Sequence, residues 1–217
     1  MMSRLRFTLA IAATAFAAAA CSDSLPTSTS ADLSPSYAAN TSSSGNKLQC
    51  FSGTADGGYN GTCTLISNGA SLNTVDSDSD PNNSYAGVYI PSNLGGKTIG
   101  DVNKLSFDYN GSGAAGGSPR ISIPIDEDGD GTTEAYAFID TQGCNTGDAN
   151  SGTLDAINDP TCLVAYDAIY PNWAAFVAAH PTYRVASDAL TFIIVDQPGT
   201  FSITNVQLGK GPAKSRP

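Results

Sequence analysis

The chain has little of what most catalytic and zinc centres need. Among 217 residues there is one histidine, His180, and one tryptophan, Trp173. A Ser-His-Asp triad would have to use that histidine, and a zinc site would lack ligands once the cysteines are paired. There is no Gly-x-Ser-x-Gly pattern, and no spacing singles out two carboxylates as a glycosidase pair. We therefore expect a protein that is not an enzyme, with a polysaccharide-active hydrolase or lyase as the third hypothesis.

Basic residues are also scarce. Ten Lys and Arg oppose twenty Asp and Glu, which gives a formal net charge of −10. Arg4 and Arg6 lie in the first twenty residues, so the rest of the chain sets eight basic residues against all twenty acids. Because nucleic-acid phosphates require a basic surface, this balance excludes a nucleic-acid partner. It is compatible with neutral partners such as glycans and with a bound cation.

The N-terminus has the layout of an export signal. Arg4 and Arg6 precede an apolar stretch over residues 7–20, which predicts a signal peptide at residues 1–20 and is too short to span a membrane. The sequence Ala18-Ala19-Ala20-Cys21 then resembles the lipobox of bacterial lipoproteins, although Ala18 stands where that family usually has leucine. The resemblance implies lipidation of Cys21 and a lipid anchor as the only membrane contact. Ordinary cleavage after Ala20 would instead leave Cys21 as a free thiol on a secreted protein.

The rest of the chain divides by composition. Residues 21–46 hold Cys21 and a tether in which twelve of the last 25 residues are Ser or Thr, too polar to fold by burial. Residues 47–209 have the length of one domain. Residues 210–217 form a basic tail that we predict to be disordered. Together these segments indicate an extracytoplasmic protein of the bacterial cell envelope or surface.

Five cysteines in an exported chain leave one over. Lipidation of Cys21 accounts for it, and an oxidising compartment favours disulfides among the other four, which are Cys50, Cys63, Cys144 and Cys162.

The pairing follows from a turn signal. The midpoint between Cys50 and Cys63 falls at Asp56-Gly57, and a hairpin centred there would place the two cysteines opposite each other. We predict a Cys50–Cys63 disulfide on this hairpin. By elimination Cys144 pairs with Cys162 and closes a loop over residues 145–161 that we expect to be irregular.

Short alternating apolar segments indicate the fold. Gly, Pro, Asn and Asp separate the predicted strands, which are Ser84–Ile90, Lys104–Asn110, Ile121–Ile125, Thr133–Asp140, Thr182–Ala186, Leu190–Asp196 and Phe201–Leu208. Such spacing is typical of an antiparallel sandwich.

One helix is predicted after Pro171. Trp173, Phe176, Val177 and His180 share a helical face, and Pro181 stops the helix. The predicted fold class is all-β: an antiparallel jelly-roll β-sandwich with one short helix and two disulfides.

A candidate metal loop lies at the tip of the segment Arg120–Asp140. Asp126-x-Asp128-x-Asp130-Gly131 places oxygen ligands at alternate positions before a turn glycine, as calcium loops do. Over six residues it resembles the loops of EF-hands, dockerins and thrombospondin type 3 repeats. Ala137 stands where an EF-hand needs a glutamate, so the EF-hand itself is rejected. Calcium is the cofactor that this pattern predicts.

Charge crowding argues against a tight turn at this tip. A turn at Asp130-Gly131 would pair Ile125 with Tyr136 but set Glu127 opposite Glu134, and a turn at Asp128-Gly129 would set Glu127 opposite Asp130. Opposed like charges destabilise a ladder by up to about 1 kcal/mol. We expect either an open solvated loop or a bound cation. A second possible metal site repeats the acidic pattern at Asp76, Asp78 and Asp80, with Pro81 in place of the glycine.

Aromatic rings supply candidates for ligand binding, because the faces of sugars stack on them and a tyrosine adds a polar edge. The candidates are Tyr85, Tyr89, Tyr136, Tyr170 and Trp173, the last of which its helical spacing also assigns to the core.

The last predicted strand carries a family resemblance. TFSITNVQLG, residues 200–209, looks like the closing strand of many jelly-roll carbohydrate-binding modules. The resemblance implies a jelly-roll sandwich and a glycan partner, with no sugar-binding motif to carry over. We therefore expect a tethered module that binds an extracellular glycan or other surface component. The alternative is a structural or adhesive surface module without a small-molecule ligand.

Overall fold

Two antiparallel sheets are stacked face to face. The structure, a computed structural model, describes residues 48–54, 61–75, 84–144 and 147–209, which lie in the compact unit Tyr37–Pro217. The strands of the larger sheet are β1 (Gln49–Thr54), β4 (Ser84–Ile90), β6 (Arg120–Asp126), β7 (Ala135–Asp140), β9 (Val164–Ala165), β10 (Ile169–Tyr170), β11 (Arg184–Val185) and β12 (Thr191–Val195). Their order is β1-β4-β12-β6-β7-β9-β10, with β11 paired to β6.

The smaller sheet contains five strands in the order β2-β3-β13-β5-β8. Their bounds are β2 (Thr62–Ile66), β3 (Gly69–Thr74), β5 (Lys104–Ser112), β8 (Ser151–Asp155) and β13 (Gly199–Gly209). The prediction of an all-β antiparallel sandwich is confirmed. Its jelly-roll connectivity stays a prediction.

The core lies between the sheets because alternate residues of each strand point inward. In β4, Ala86, Val88 and Ile90 are buried, whereas Tyr85 and Tyr89, which alternate with them, are half-buried on the outer face. Phe107 and Phe201 of the smaller sheet join the same core cluster. Burying each such large apolar side chain contributes about 1.5–3 kcal/mol, which fixes the inward face of every long strand.

The predicted helix is confirmed as α1, Trp173–Ala179. The Asn172 side chain caps it by accepting a hydrogen bond from the Ala175 N–H at 2.9 Å. Trp173 and Phe176 point into the core, and a short 3₁₀ helix at Ile99–Asp101 packs near α1. None of the helices in the described ranges is long and apolar enough to cross a membrane.

Both predicted disulfides are present, but the hairpin that carried the first prediction is wrong. Cys50 is bonded to Cys63 and Cys144 to Cys162. Strand β1 pairs with β4, whereas β2 pairs with β3 in the other sheet. The Cys50–Cys63 disulfide therefore joins the two sheets. The Asp56-Gly57 signal lies outside the described residues. Where β1 pairs with β4, Phe51 packs on Tyr89.

Two further strand predictions need correction. Strand β8 lies inside residues 145–161, which we expected to be irregular; only Leu154 of β8 is buried, but its backbone pairs with β5. The predicted strand Thr182–Ala186 shrinks to the two residues of β11. Strand β3 was not predicted, although its inward Ala70, Leu72 and Thr74 alternate as a strand should.

Candidate functional site

The acidic loop connects β6 to β7 and comprises residues 127–134. Its register matches neither tight turn, because Ile125 pairs with Ala135 and Ile123 with Ala137. The expectation that the tip does not form a tight turn is thus confirmed. Gly129 and Gly131 adopt φ values of 88° and 93°, a left-handed region that favours glycine.

The buried Asp126 side chain stabilises this loop through two hydrogen bonds. Its side chain is 1% exposed, and its two oxygens accept hydrogen bonds from the backbone N–H of Gly129 at 2.6 Å and of Gly131 at 3.0 Å. A buried carboxylate is costly without such partners. The pair of glycine amides therefore wraps the backbone around Asp126.

The other aspartates of the motif form small turns of their own. Asp128 Oδ1 accepts from the N–H of Asp130 at 3.0 Å. Asp130 Oδ1 accepts from the hydroxyl of Thr132 at 2.6 Å and from its N–H at 2.8 Å. These two hydrogen bonds stabilise the carboxylate and lower the pKa of Asp130 below its usual value.

The two glutamate side chains have different hydrogen-bond partners. Glu134 Oε2 accepts from the backbone N–H of Glu127 at 2.8 Å. The Glu127 carboxylate instead accepts from the hydroxyls of Tyr166 and Tyr183. Burial first, and then the nearby Glu127 charge, raises the pKa of both tyrosines. The open loop therefore does not set Glu127 opposite Glu134 in the strand ladder.

Four carboxylates of the loop could hold a metal ion. Ligand oxygens of Asp126, Asp128, Asp130 and Glu134 all lie within 4.8 Å of one another. Oxygens bound to one calcium ion at about 2.4 Å lie at most about 4.8 Å apart, so the donor set and its dimensions fit a hard cation. The predicted Asp126, Asp128 and Asp130 are thus brought together.

Glu134 is the ligand candidate that the sequence pattern missed. The twelfth loop position, where an EF-hand has its glutamate, is Ala137, whereas the open loop places Glu134 beside the aspartates. The second acidic pattern, Asp76, Asp78 and Asp80, lies outside the described residues.

The acidic loop is also hydrogen-bonded to Ser187 and Asp188, which precede β12. The hydroxyl of Thr133 donates to Asp188 Oδ1 at 2.6 Å. The N–H groups of Ser187 and Asp188 both donate to the Gly131 carbonyl, at 3.0 and 3.3 Å. Asp188 also contributes, after burial, to a raised pKa of Tyr136. The acidic loop therefore adjoins the outer face of the larger sheet at Tyr136.

That outer face carries a lateral row of mostly apolar side chains, interrupted by the buried Ser122, which we call the aromatic row. The strand registers place Tyr89 beside Phe192, Phe192 beside Ser122, Ser122 beside Phe138 and Phe138 beside Ala165, and the row ends at Ile169. Five strand spacings give it a length of about 24 Å.

Further rings widen the row. Phe51 lies 4.5 Å from Tyr89 and 6.3 Å from Tyr85 between ring centroids. Tyr136 lies 5.5 Å from Phe192 and 6.5 Å from Phe138. Most of these rings are half-buried, whereas Phe138 is 37% and Ile169 66% exposed.

The structure thus brings together three of the five predicted aromatic candidates: Tyr85, Tyr89 and Tyr136. Trp173 is 4% exposed and its ring packs on Phe176 at 5.4 Å, as its helical spacing indicated for a core residue. Tyr170 lies apart from the row. Phe51, Phe192 and Phe138 were missed, since only strand pairing places them beside the tyrosines.

Tyr170 belongs instead to a polar group beside α1. Its hydroxyl lies 2.7 Å from both Asp167 Oδ1 and His180 Nε2. Its contact with Asp167 raises the pKa of Tyr170 to about 12. The His180 ring also stacks on Tyr183 at 4.3 Å. The single histidine is therefore held by aromatic and hydrogen-bonding neighbours.

No family model matches this chain, and neither the curated proteins nor the solved structures contain a match.

Proposed function

We propose that this protein is an exported, surface-tethered binding module that takes a neutral glycan chain along the aromatic row. The observation that carries the proposal is the register that aligns Tyr89, Phe192, Phe138 and Ile169 across the larger sheet. Sugar rings present apolar faces, and tyrosine offers a flat surface with a polar edge. A row of about 24 Å accommodates several consecutive sugar units.

Charge favours a neutral glycan over an acidic one. The chain carries a net charge of −10, and the acidic loop adjoins the row near Tyr136. Arg120, which lies over the Phe138 ring at 5.3 Å, is neutralised by an ion pair with Asp196. An anionic polymer would therefore meet net repulsion at this face.

The compartment agrees with this role. The two disulfides suggest an oxidising, extracytoplasmic environment. In the proposal the signal peptide directs export, and Cys21 with the Ser/Thr-rich tether holds the sandwich at the cell surface.

We also propose that calcium occupies the acidic loop. Oxygen ligands from Asp126, Asp128, Asp130 and Glu134 match the preference of this ion. A bound divalent cation would offset the charge of four carboxylates and stabilise the loop beside Tyr136.

Polysaccharide binding tests the glycan proposal. The full mature chain is incubated with a panel of neutral polysaccharides, including cellulose, xylan, mannan and galactan, with and without calcium. We expect retention on at least one polymer, which Phe138→Ala weakens about fivefold, because stacking on an aromatic ring is worth about 1 kcal/mol.

Leu65→Ala is the matched control. Leu65 is 38% exposed on β2 of the other sheet, so the substitution removes a similar exposed apolar surface away from the aromatic row. Binding to no neutral polymer would reject the glycan and favour the adhesive module, for which the exposed Phe138 and Ile169 would be a contact surface for another protein. Equal losses in both variants would reject the row as the site.

A further inference from the structure

A polar groove lies on the outer face of the smaller sheet and belongs to neither the acidic loop nor the aromatic row. Its volume is about 550 Å³, which is within the range of small-molecule sites. The floor is β5 at Leu105 and Ser106, and the walls are β8 on one side and the end of β13 on the other. Among the residues that the structure describes, no aromatic side chain lines it.

A β-bulge builds the wall on the β13 side. Thr204 pairs with Asp108 but Gln207 pairs with Ser106, so β13 has one extra residue there. Asn205 takes a φ of 50°, which asparagine tolerates better than most residues. Because Val206 packs against the core, the bulge turns both Asn205 and Gln207 toward the groove.

A chain of hydrogen bonds positions the Asn205, Asp108 and Thr153 side chains of the groove. Asn68 Nδ2 donates to Asn205 Oδ1 at 2.6 Å, and Asn205 Nδ2 donates to Asp108 Oδ2 at 2.5 Å. Thr153 Oγ1 donates to the other Asp108 oxygen at 2.5 Å. The chain crosses the sheet from the β2–β3 turn to β8, so the Asp108 carboxylate is already satisfied by amide and hydroxyl donors.

The opposite wall is similarly organised. Asp155 Oδ2 accepts from Asn158 Nδ2 at 2.8 Å, and Asp155 Oδ1 accepts from the Asn158 N–H at 3.1 Å. Both carboxylates of the groove thus orient neighbouring amides. Among the described residues of the lining, Lys104 carries a positive charge and Asp108 and Asp155 carry negative charges, so the described lining favours a neutral ligand over a strong anion.

We infer that this groove is a second binding site, which takes one or two units of a neutral sugar by hydrogen bonding. The lining combines the amide of Gln207, the hydroxyl of Ser106 and the ammonium of Lys104 with carboxylate and amide oxygens. Sugar hydroxyls donate and accept at once, as such a mixed lining requires. The site is independent of the aromatic row and acts through hydrogen bonds rather than ring stacking.

Amide NMR spectra of the full mature chain test the inference. Glucose, galactose, mannose, cellobiose and lactose are titrated in turn, with glucuronic acid as the anionic comparison. We expect at least one neutral sugar to shift the backbone amides of Ser106 and Thr153 and the side-chain amide of Gln207. Gln207→Ala and the nearly isosteric Gln207→Glu should each weaken that binding about tenfold, the effect of one lost hydrogen bond.

Asn110→Ala is the matched control, because Asn110 is exposed on the same face of β5 but outside the groove lining. Phe138→Ala separates this site from the aromatic row: the groove response should persist in that variant even where polysaccharide retention is lost. The inference is overturned if no neutral sugar shifts the groove amides, if glucuronic acid binds as well as the neutral sugars, or if the response disappears with Phe138→Ala.

Discussion

The hydroxyl of Tyr183 donates a hydrogen bond to Oε2 of Glu127 at 3.2 Å, across 56 positions of sequence. Tyr166 donates to the other oxygen of the same carboxylate. Glu127 therefore joins the acidic loop to the segments on either side of α1. The same contacts raise the pKa of both tyrosines, after burial, which makes the connection measurable.

Glu127→Gln should bring the pKa values of Tyr166 and Tyr183 back toward 10. Removing the neighbouring negative charge makes tyrosinate easier to form. Tyr170, whose pKa of about 12 comes from Asp167, should not change and serves as an internal control. Alkaline titration by ring-carbon NMR measures all three. Unchanged values at Tyr166 and Tyr183 would contradict the contact with Glu127.

The raised pKa values of Tyr166, Tyr170 and Tyr183 predict a loss of folding stability at high pH. Their folded pKa values are raised, so the stabilisation is complete below the unfolded value near 10 and is lost as pH rises through the folded values. For Tyr170 that window runs from 10 to about 12. Urea unfolding at several alkaline pH values should show a shallower decline in Glu127→Gln than in the native chain.

Calcium should stabilise the fold through the acidic loop. For a dissociation constant of about 10⁻⁴ M, typical of extracellular sites, millimolar calcium contributes about 1.4 kcal/mol. We expect a higher melting temperature in calcium than in chelator, and no such difference in Asp130→Ala.

Asp159→Ala is the control for the calcium experiment. Asp159 Oδ1 accepts from the N–H and hydroxyl of Thr161 at 2.9 and 2.6 Å, the same contacts that Asp130 makes with Thr132. That variant loses an equivalent turn but should keep the calcium response. A native chain that melts alike in calcium and chelator would count against the metal site.

Thr191→Val should leave stability unchanged or raise it by up to about 1 kcal/mol. The Thr191 hydroxyl is buried without a hydrogen-bond partner in the described part of the chain, and valine keeps its shape while removing that cost. Thr74→Val is the comparison, because the Thr74 hydroxyl accepts from the Gly199 N–H at 3.0 Å. Chemical denaturation should show Thr74→Val destabilised by about 1–3 kcal/mol. Equal losses of stability in Thr191→Val and Thr74→Val would contradict the expected difference between the two hydroxyls.

Replacing Cys50 and Cys63 together by alanine should cost about 3 kcal/mol. The bond closes a loop with a sequence separation of 13, and its loss frees the unfolded chain. Guanidinium unfolding under oxidising conditions measures the effect. A reduced native chain should lose at least as much, since Cys144–Cys162 is then broken as well.

The amino-acid sequence by itself determined the features that depend on near neighbours. Alternation placed β4 at Ser84–Ile90, the prolines and apolar spacing placed α1, and the crowded charges argued against a tight turn between β6 and β7. These signals act over a few residues: side-chain period, capping and like-charge repulsion. Cysteine arithmetic indicated two disulfides among four cysteines, but it leaves three pairings open; the predicted pairing is present although the hairpin from which it was inferred is not.

Only the tertiary structure decided which strands become neighbours. The Cys50–Cys63 disulfide joins two sheets rather than two arms of a hairpin, and Phe192 meets Tyr89 because β12 pairs with β4. The sequence likewise did not predict that Glu134 lies beside the aspartates or that a bulge forms at Asn205. Such pairings are chosen by the total burial of both sheets, a sum over distant segments that no short window of sequence contains.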